Sequence, residues 1–296
     1  MATDRMHGST SEERNSGTRP IEDISTAFIG MVCTASDADP DIFPLNKPVL
    51  MTSISQKIDA VGSKGTLYSS LEAIQEQTEC QAIVVRVQEG SDEAETVANI
   101  VGSKVGGVFT GLQAFDKAIN VVGELPGIIG IPGFDDLAIT TELATKAEQY
   151  RAFAYASCPE FADIADAVNF RKGFSSKRLM LIDGHFTVYD SAKKADVRDM
   201  TIARILGLRA KIDAQVGWHK TISNVDINGV VGIEDPRSWG LSDRTSEANF
   251  LNNNDITTLI RDGGFQAWGN RTTSSDPLFS LLTGLRQSNV LSLEWG

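Results

Sequence analysis

Cysteine and histidine are scarce in this sequence, with three of each in 296 residues. Cys33, Cys80 and Cys158 are far apart, odd in number and without a CxxC spacing. That pattern excludes a disulfide framework and points to a reducing compartment. His7, His185 and His219 cannot be paired by spacing into a metal motif. Positive charge is also short, with 27 Lys and Arg against 39 Asp and Glu and a net charge of -12. A basic stripe for nucleic acid is thereby excluded, as is electrostatic attachment to an anionic membrane. No apolar run approaches the roughly 20 residues that span a bilayer. Met1 to Arg19 is polar and lacks the apolar centre of a signal peptide, so the expectation is a chain made in the cytoplasm and soluble there.

Hydrophobic residues make up 41% of the chain, enough to bury one sizeable core or two smaller ones. Residues 1 to about 20 are rich in Ser, Thr, Gly and Asn and read as a flexible arm. Apolar, partly β-branched runs predict buried strands at 25–34, 48–51, 82–87, 126–131, 152–155 and 177–182, with a further strand at 186–189. Between them, helical spacing predicts helices at 66–78, around Val97 to Val101, at 137–151 and from Val197 to Ile212. Strands alternating with helices predict an α/β domain over residues 23–216. After residue 217 Gly, Asn, Asp and Trp become frequent, and a boundary is placed near residue 245. Arg261-Asp262-Gly263-Gly264 reads as a charged helix end with a glycine cap. No internal repeat is evident.

An α/β pattern invites an enzyme reading, and the candidate motifs answer it poorly. Gly62-Ser-Lys-Gly-Thr66 and Gly102-Ser-Lys104 lack the GxxxxGK[ST] order of a phosphate loop and read as turn glycines. Asp37, Asp39 and Asp41 have the alternation of a calcium loop, but Ile42 stands where the turn needs Gly and Pro48 where it needs a bidentate Glu. Asp183-Gly184-His185 follows a predicted strand, where α/β enzymes place catalytic groups, yet no GxSxG elbow accompanies it. Ser175 and Ser176 are hydroxyls with nothing to mark them as activated. Gly217-Trp-His-Lys220 reads as aromatic packing at an element boundary. No catalytic, cofactor-binding or metal-binding residue emerges.

Longer stretches carry more information. Asn252-Asn-Asn-Asp-Ile-Thr-Thr-Leu-Ile-Arg-Asp-Gly-Gly-Phe265, followed by Trp268-Gly-Asn-Arg-Thr272 and Ser275-Asp276, resembles the sheath proteins of contractile phage tails, including those of temperate enteric myophages and R-type pyocins. Other stretches agree in the same order: 17–21, 25–35, 43–49, 110–112, 131–133, 208–213, 217–221 and 228–232. The resemblance spans nearly the whole chain.

It implies a structural, self-assembling subunit rather than an enzyme, without cofactors. Such a subunit polymerises around a tail tube, meets a baseplate and a tail terminator, and contracts to drive the tube through a host envelope. Assembly takes place in the bacterial cytoplasm, and neither nucleic acid nor membrane is a partner. The implied architecture is an outer α/β domain inserted in an inner, tube-facing domain. Residues 1–22 correspond to the N-terminal arm and its root, 23–244 to the outer domain and 245–296 to the start of the inner domain. Neighbouring subunits exchange arms by β-augmentation.

The family runs on past Leu285-Arg-Gln-Ser-Asn-Val-Leu291, whereas Ser292-Leu-Glu-Trp-Gly296 departs from it. The expectation is therefore an incomplete inner domain without the C-terminal arm, exposing Phe279, Leu281, Leu282 and Trp295. A shortened piece, a degenerate prophage gene and a natural short form completed by another chain all fit. Two alternatives stand beside the sheath reading: a vestigial sheath unable to assemble alone, and an α/β ligand-binding or hydrolytic domain using His185.

Overall fold

A computed structural model describes residues 28–160, 163–191, 193–276 and 280–281. The arm at 1–22, His7 and the stretch 285–296 lie outside the described residues, as do Phe279, Leu282 and Trp295; Leu281 is exposed. The chain opens with β1 (Ile29–Thr34) and β2 (Pro48–Met51), then a 3-10 turn over Ile54–Ala60 and α1 (Leu67–Gln75). Next come β3 (Ala82–Val87), α2 (Glu93–Val101) and a small hairpin of β4 (Lys104–Val105) and β5 (Val108–Phe109). A second 3-10 turn over Gly111–Lys117 leads to α3 (Ala118–Val121), β6 (Ile128–Gly130), α4 (Leu137–Tyr150) and β7 (Phe153–Ser157). Then follow α5 (Ile164–Lys172), β8 (Leu179–Asp183), β9 (His185–Asp190), β10 (Ala195–Arg198) and α6 (Thr201–Gln215). The last elements are β11 (Gly232–Glu234), α7 (Glu247–Asn253), β12 (Ile256–Asp262) and β13 (Gly264–Trp268).

Eight described strands form one sheet in the order β13-β12-β8-β7-β6-β1-β3-β2. From β12 to β3 every pairing is parallel, while β13 and β2 add antiparallel at the two edges. Parallel strands are buried on both faces, so they read as unbroken apolar runs. Every residue of β1, β3, β7 and β8 is buried accordingly. Side chains alternate between two cores. Ile29, Met31 and Cys33 face α1 and α6, whereas Val32 joins the opposite core with Ile100, Leu112 and Leu143. The α/β class expected from the alternation of apolar runs is what forms.

Helix starts follow local chemistry. Asp92, Asp136 and Asp163 accept hydrogen bonds from the first free N–H groups of α2, α4 and α5, and Ser246 does so for α7. α6 is different, because 11 of its 15 residues are buried, including Arg204 and Arg209. It packs across the sheet and against α1. Gly207 marks the closest approach, since a β-carbon there would lie 2.9 Å from the Ile74 Cα.

Two expectations change, and the sheet runs across residue 245. Arg261–Gly264 is not a helix end but the turn of the β12–β13 hairpin, with Gly263 at φ 70°. Ile256-Thr-Thr-Leu-Ile260, β-branched and fully buried, needs a sheet on both sides. Val197 lies in β10, paired with Val188 of β9, and the helix begins only at Thr201. The boundary placed near residue 245 does not interrupt the sheet, because β12 adds in parallel to β8 through Ile256, Thr257 and Thr258.

The close α1–α6 contact yields a test. Gly207→Ala raises helix propensity by about 1 kcal/mol, yet it should destabilise the chain by about 1–3 kcal/mol because the methyl meets fixed backbone. Urea unfolding compared with the parent chain measures it, and an unchanged or raised midpoint would contradict the packing described.

Candidate functional site

In an open α/β sheet, ligands enter beyond the carboxyl ends of the strands where the chain direction of winding reverses. Here that point lies between β1 and β6. There the loop before α1 packs against the end of β1. Thr66 N–H donates to Thr34 O at 2.9 Å, and Thr34 N–H donates to Thr66 Oγ1 at 3.2 Å. Gly65, at φ 83°, lies so close that a β-carbon would sit 2.4 Å from Thr34 O. The Gly62–Thr66 glycines are turn glycines.

Asp37 holds the same loop. Its carboxylate accepts from Ser63 N–H and Lys64 N–H, both at 2.9 Å, and these bonds lower its pKa. Asp39 accepts from Asp41 N–H. Among the described residues no group of three or more His, Cys, Asp or Glu is placed to hold a metal ion. None of their helices is long and apolar enough to cross a membrane.

His185 opens β9 at the carboxyl end of β8 and borders two depressions. The first is a cleft of about 250 Å³ whose lining includes Cys158, Glu160, Asp183 and Arg237. The second, of about 210 Å³, includes Asp135, Ser157, Arg198 and Thr201. Carboxylates and hydroxyls thus do converge near His185, as an enzyme reading requires. Burial and ion pairing set the states of several of them. Burial, reinforced by Asp183 and Asp135, pushes the Cys158 thiol well above its ordinary pKa, and a protonated thiol is a poor nucleophile. Asp183 is taken by Arg237, which donates to it through Nε at 2.8 Å and through a terminal nitrogen at 3.2 Å. Burial raises the Asp135 carboxyl against the pull of His185. Arg198 is paired with both Glu160 and Glu234. The ion pairs of Arg237 and Arg198 thus engage three carboxylates of the cleft wall, Asp183, Glu160 and Glu234.

Ser175 and Ser176 precede β8 while His185 follows it, so about 16 Å of strand separates them from the histidine. Ser176 Oγ donates to Glu148 instead, and the Ser175 hydroxyl meets that of Ser275. Trp218 and His219 pack edge to face at 5.9 Å beside the end of α6. Arg237 and Arg198 were not singled out by the sequence; each is recognised only through carboxylates distant along the chain.

A second polar centre lies on the opposite face. Asp116 accepts from Lys146, Lys104, Tyr150 and Gln149 and ties the β4–β5 hairpin to α4. Burial opposes its charge, but the Lys104, Tyr150 and Lys146 donors prevail and hold its pKa at about 2. This is a structural pin.

Comparison with known proteins identifies the family. The family profile described as "Phage tail sheath protein central domain" matches residues 107–273, and "Tail sheath protein Gp18 domain III N-terminal region" matches 26–87. The tail sheath protein of Escherichia phage P2 is 43% identical over 98% of this chain and 75% of its own length. The major tail sheath protein of Serratia phage KSP20 is 39% identical, over 97% and 74%. Among solved structures, the helical sheath of the anti-feeding prophage in its contracted state superposes with a TM-score of 0.68 at 19% identity, covering 98% of this chain and 74% of that one. The contracted PVC sheath of an extracellular contractile injection system gives 0.64 at 14% identity, over 99% and 74%. The family matches and these relatives place the chain among the structural proteins of phage tails. The chain belongs to the contractile tail sheath family, and it is a structural sheath subunit.

The three thiols test the inert reading of the cleft. Burial raises Cys33 and Cys80 to about 12 and pushes Cys158 well above its ordinary value. At pH 8 the folded chain should therefore react with iodoacetamide at least ~100-fold more slowly than the urea-unfolded chain. Rapid labelling of Cys158 in the folded chain would reopen an enzymatic role.

Proposed function

We propose that this subunit polymerises around a tail tube, engages a baseplate and a tail terminator, and on contraction drives the tube through a host envelope. The observation that carries this reading is the colinear identity to the P2 tail sheath protein along almost the whole chain. The names of the structural relatives, a helical sheath and a baseplate complex, support self-assembly together with other tail parts. The particle site is the virion tail, with assembly in the host cytoplasm beforehand.

In this proposal no chemistry is performed. The raised pKa of the buried Cys158, the Arg237-bound Asp183 and the Thr34–Thr66 contact at the winding reversal support that. Work is stored in the assembled lattice and released by rigid-body rotation of subunits. Heterologous contacts that do not close generate such an open helix. Residues 1–22 serve as the arm and 23–244 as the outer domain. Residues 245–296 serve as the start of the inner domain, whose β12 and β13 continue the same sheet.

Electron microscopy of the purified chain at high concentration tests the reading, beside the full-length P2 relative. Tubes or stacked rings from the chain, as from the relative, are the expected result. If only the relative polymerises with tail tubes present, the sheath role fails and ligand binding at the His185 cleft becomes the next hypothesis.

A further inference from the structure

Among the described residues, the outer edge of β13 is closed by a segment that is not a strand. Asn224 N–H donates to Ala267 O at 3.1 Å, and Ile227 N–H donates to Phe265 O at 2.9 Å. Ser223 pairs with Ala267 in the parallel sense, whereas Asp226 pairs with Gln266 in the antiparallel sense. The segment turns as it passes, with Asn224 at φ 59°, so it satisfies the edge without offering a regular ladder of its own. Gln266 Nε2 donates to the Asp226 carboxylate at 2.7 Å. A β-carbon at Gly264 would lie 2.6 Å from that carboxylate, so this glycine makes room for it.

The two edges of the sheet differ in how they are protected. β2 is only four residues long, starts with Pro48 and follows Lys47. Short length, proline and lysine are the usual ways of keeping an edge from pairing. β13 reads Gly-Phe-Gln-Ala-Trp, with no charge and no proline. Its sequence offers no protection of its own.

The covering segment is clamped from outside. Gln77 donates to Asn228 O at 2.9 Å and accepts from Asn228 N–H at 3.0 Å, across 151 residues. Arg204 also donates to Asn228 O, and Arg209 donates to Lys220 O. Ile222 and Ile227 anchor it in the core. The stretches 217–221 and 228–232, which stood out in the sequence, are the two ends of this strap.

We infer that residues 221–228 are an edge guard that keeps β13 from accepting a strand of a second copy of this chain. A second copy fits because the same uncharged edge can pair with itself antiparallel about a two-fold axis, a self-complementary contact. An uncharged edge is also where two molecules of net charge -12 can approach without direct repulsion. This inference goes beyond the sheath reading and does not depend on it.

The test uses the full chain carrying Gln77→Ala and Asp226→Ala, which removes both Gln77 bonds to Asn228 and the bond to Gln266. Hydrogen exchange within 221–228 and 264–268 should rise at least tenfold while β1 and β3 stay protected. Sedimentation should show new dimers, and adding Gln266→Lys should return the mass to that of the parent. If the double variant loses protection in β1 and β3, Asp226→Ala alone is read by the same criteria. Unchanged exchange overturns the inference, as does raised exchange with no new association. Association that survives Gln266→Lys overturns it as well.

Discussion

Two buried guanidinium groups on α6 set the arrangement of much of the structure. Arg204 and Arg209 are 2% and 0% exposed. A buried charge without partners costs several kcal/mol, so each must bring its partners inside with it. Arg204 gathers Asp199 from the segment before the helix, Glu76 from the end of α1 and the Asn228 carbonyl from the strap. Arg209 gathers Asp213 one turn along and the Lys220 carbonyl beyond the helix end. Apolar packing alone would hold α6 against the sheet. The arginines decide where α1 ends, how the chain leaves α6 and where the strap crosses.

The same economy of shape is visible at the carboxyl ends of the doubly wound sheet. Such a sheet offers a crevice at its winding reversal, and folds of this class serve many unrelated roles. In this chain the crevice holds the Thr34–Thr66 contact and the Gly65 turn. The neighbouring cleft gathers residue types found in hydrolases, but Arg237 occupies Asp183 and burial keeps Cys158 protonated. The surfaces left to act are those that meet other subunits, which suits a sheath protein.

Much of the central sheet was legible because strands buried on both faces need continuous apolar residues, and β1, β3, β7 and β8 supply them. α4 was legible as well, with a capping Asp136 and helical periodicity. α5 escaped because Ile164-Ala-Asp-Ala-Val-Asn-Phe-Arg-Lys172 buries only Ala167 and Val168, leaving no apolar stripe; its one clear signal was the capping Asp163. The β12–β13 turn was misread because Arg-Asp-Gly-Gly suits a helix cap and a hairpin equally until the pairing with β8 is known. His185 was placed correctly after a strand, but its neighbours come from four separate loops and no spacing predicts them. The Gln77–Asn228 clamp is equally silent. Resemblance marked the strap ends as characteristic without showing what they hold.

A urea-unfolding cycle of Arg209→Met, Asp213→Leu and the pair tests the central role of the buried α6 charges most directly. The account predicts that each single change costs about 3–5 kcal/mol because it strands a buried charge, and that the double variant recovers at least ~1 kcal/mol relative to the sum. Strictly additive losses, or single changes with little effect, would mean that apolar packing alone positions α6 and that the arginines are passengers.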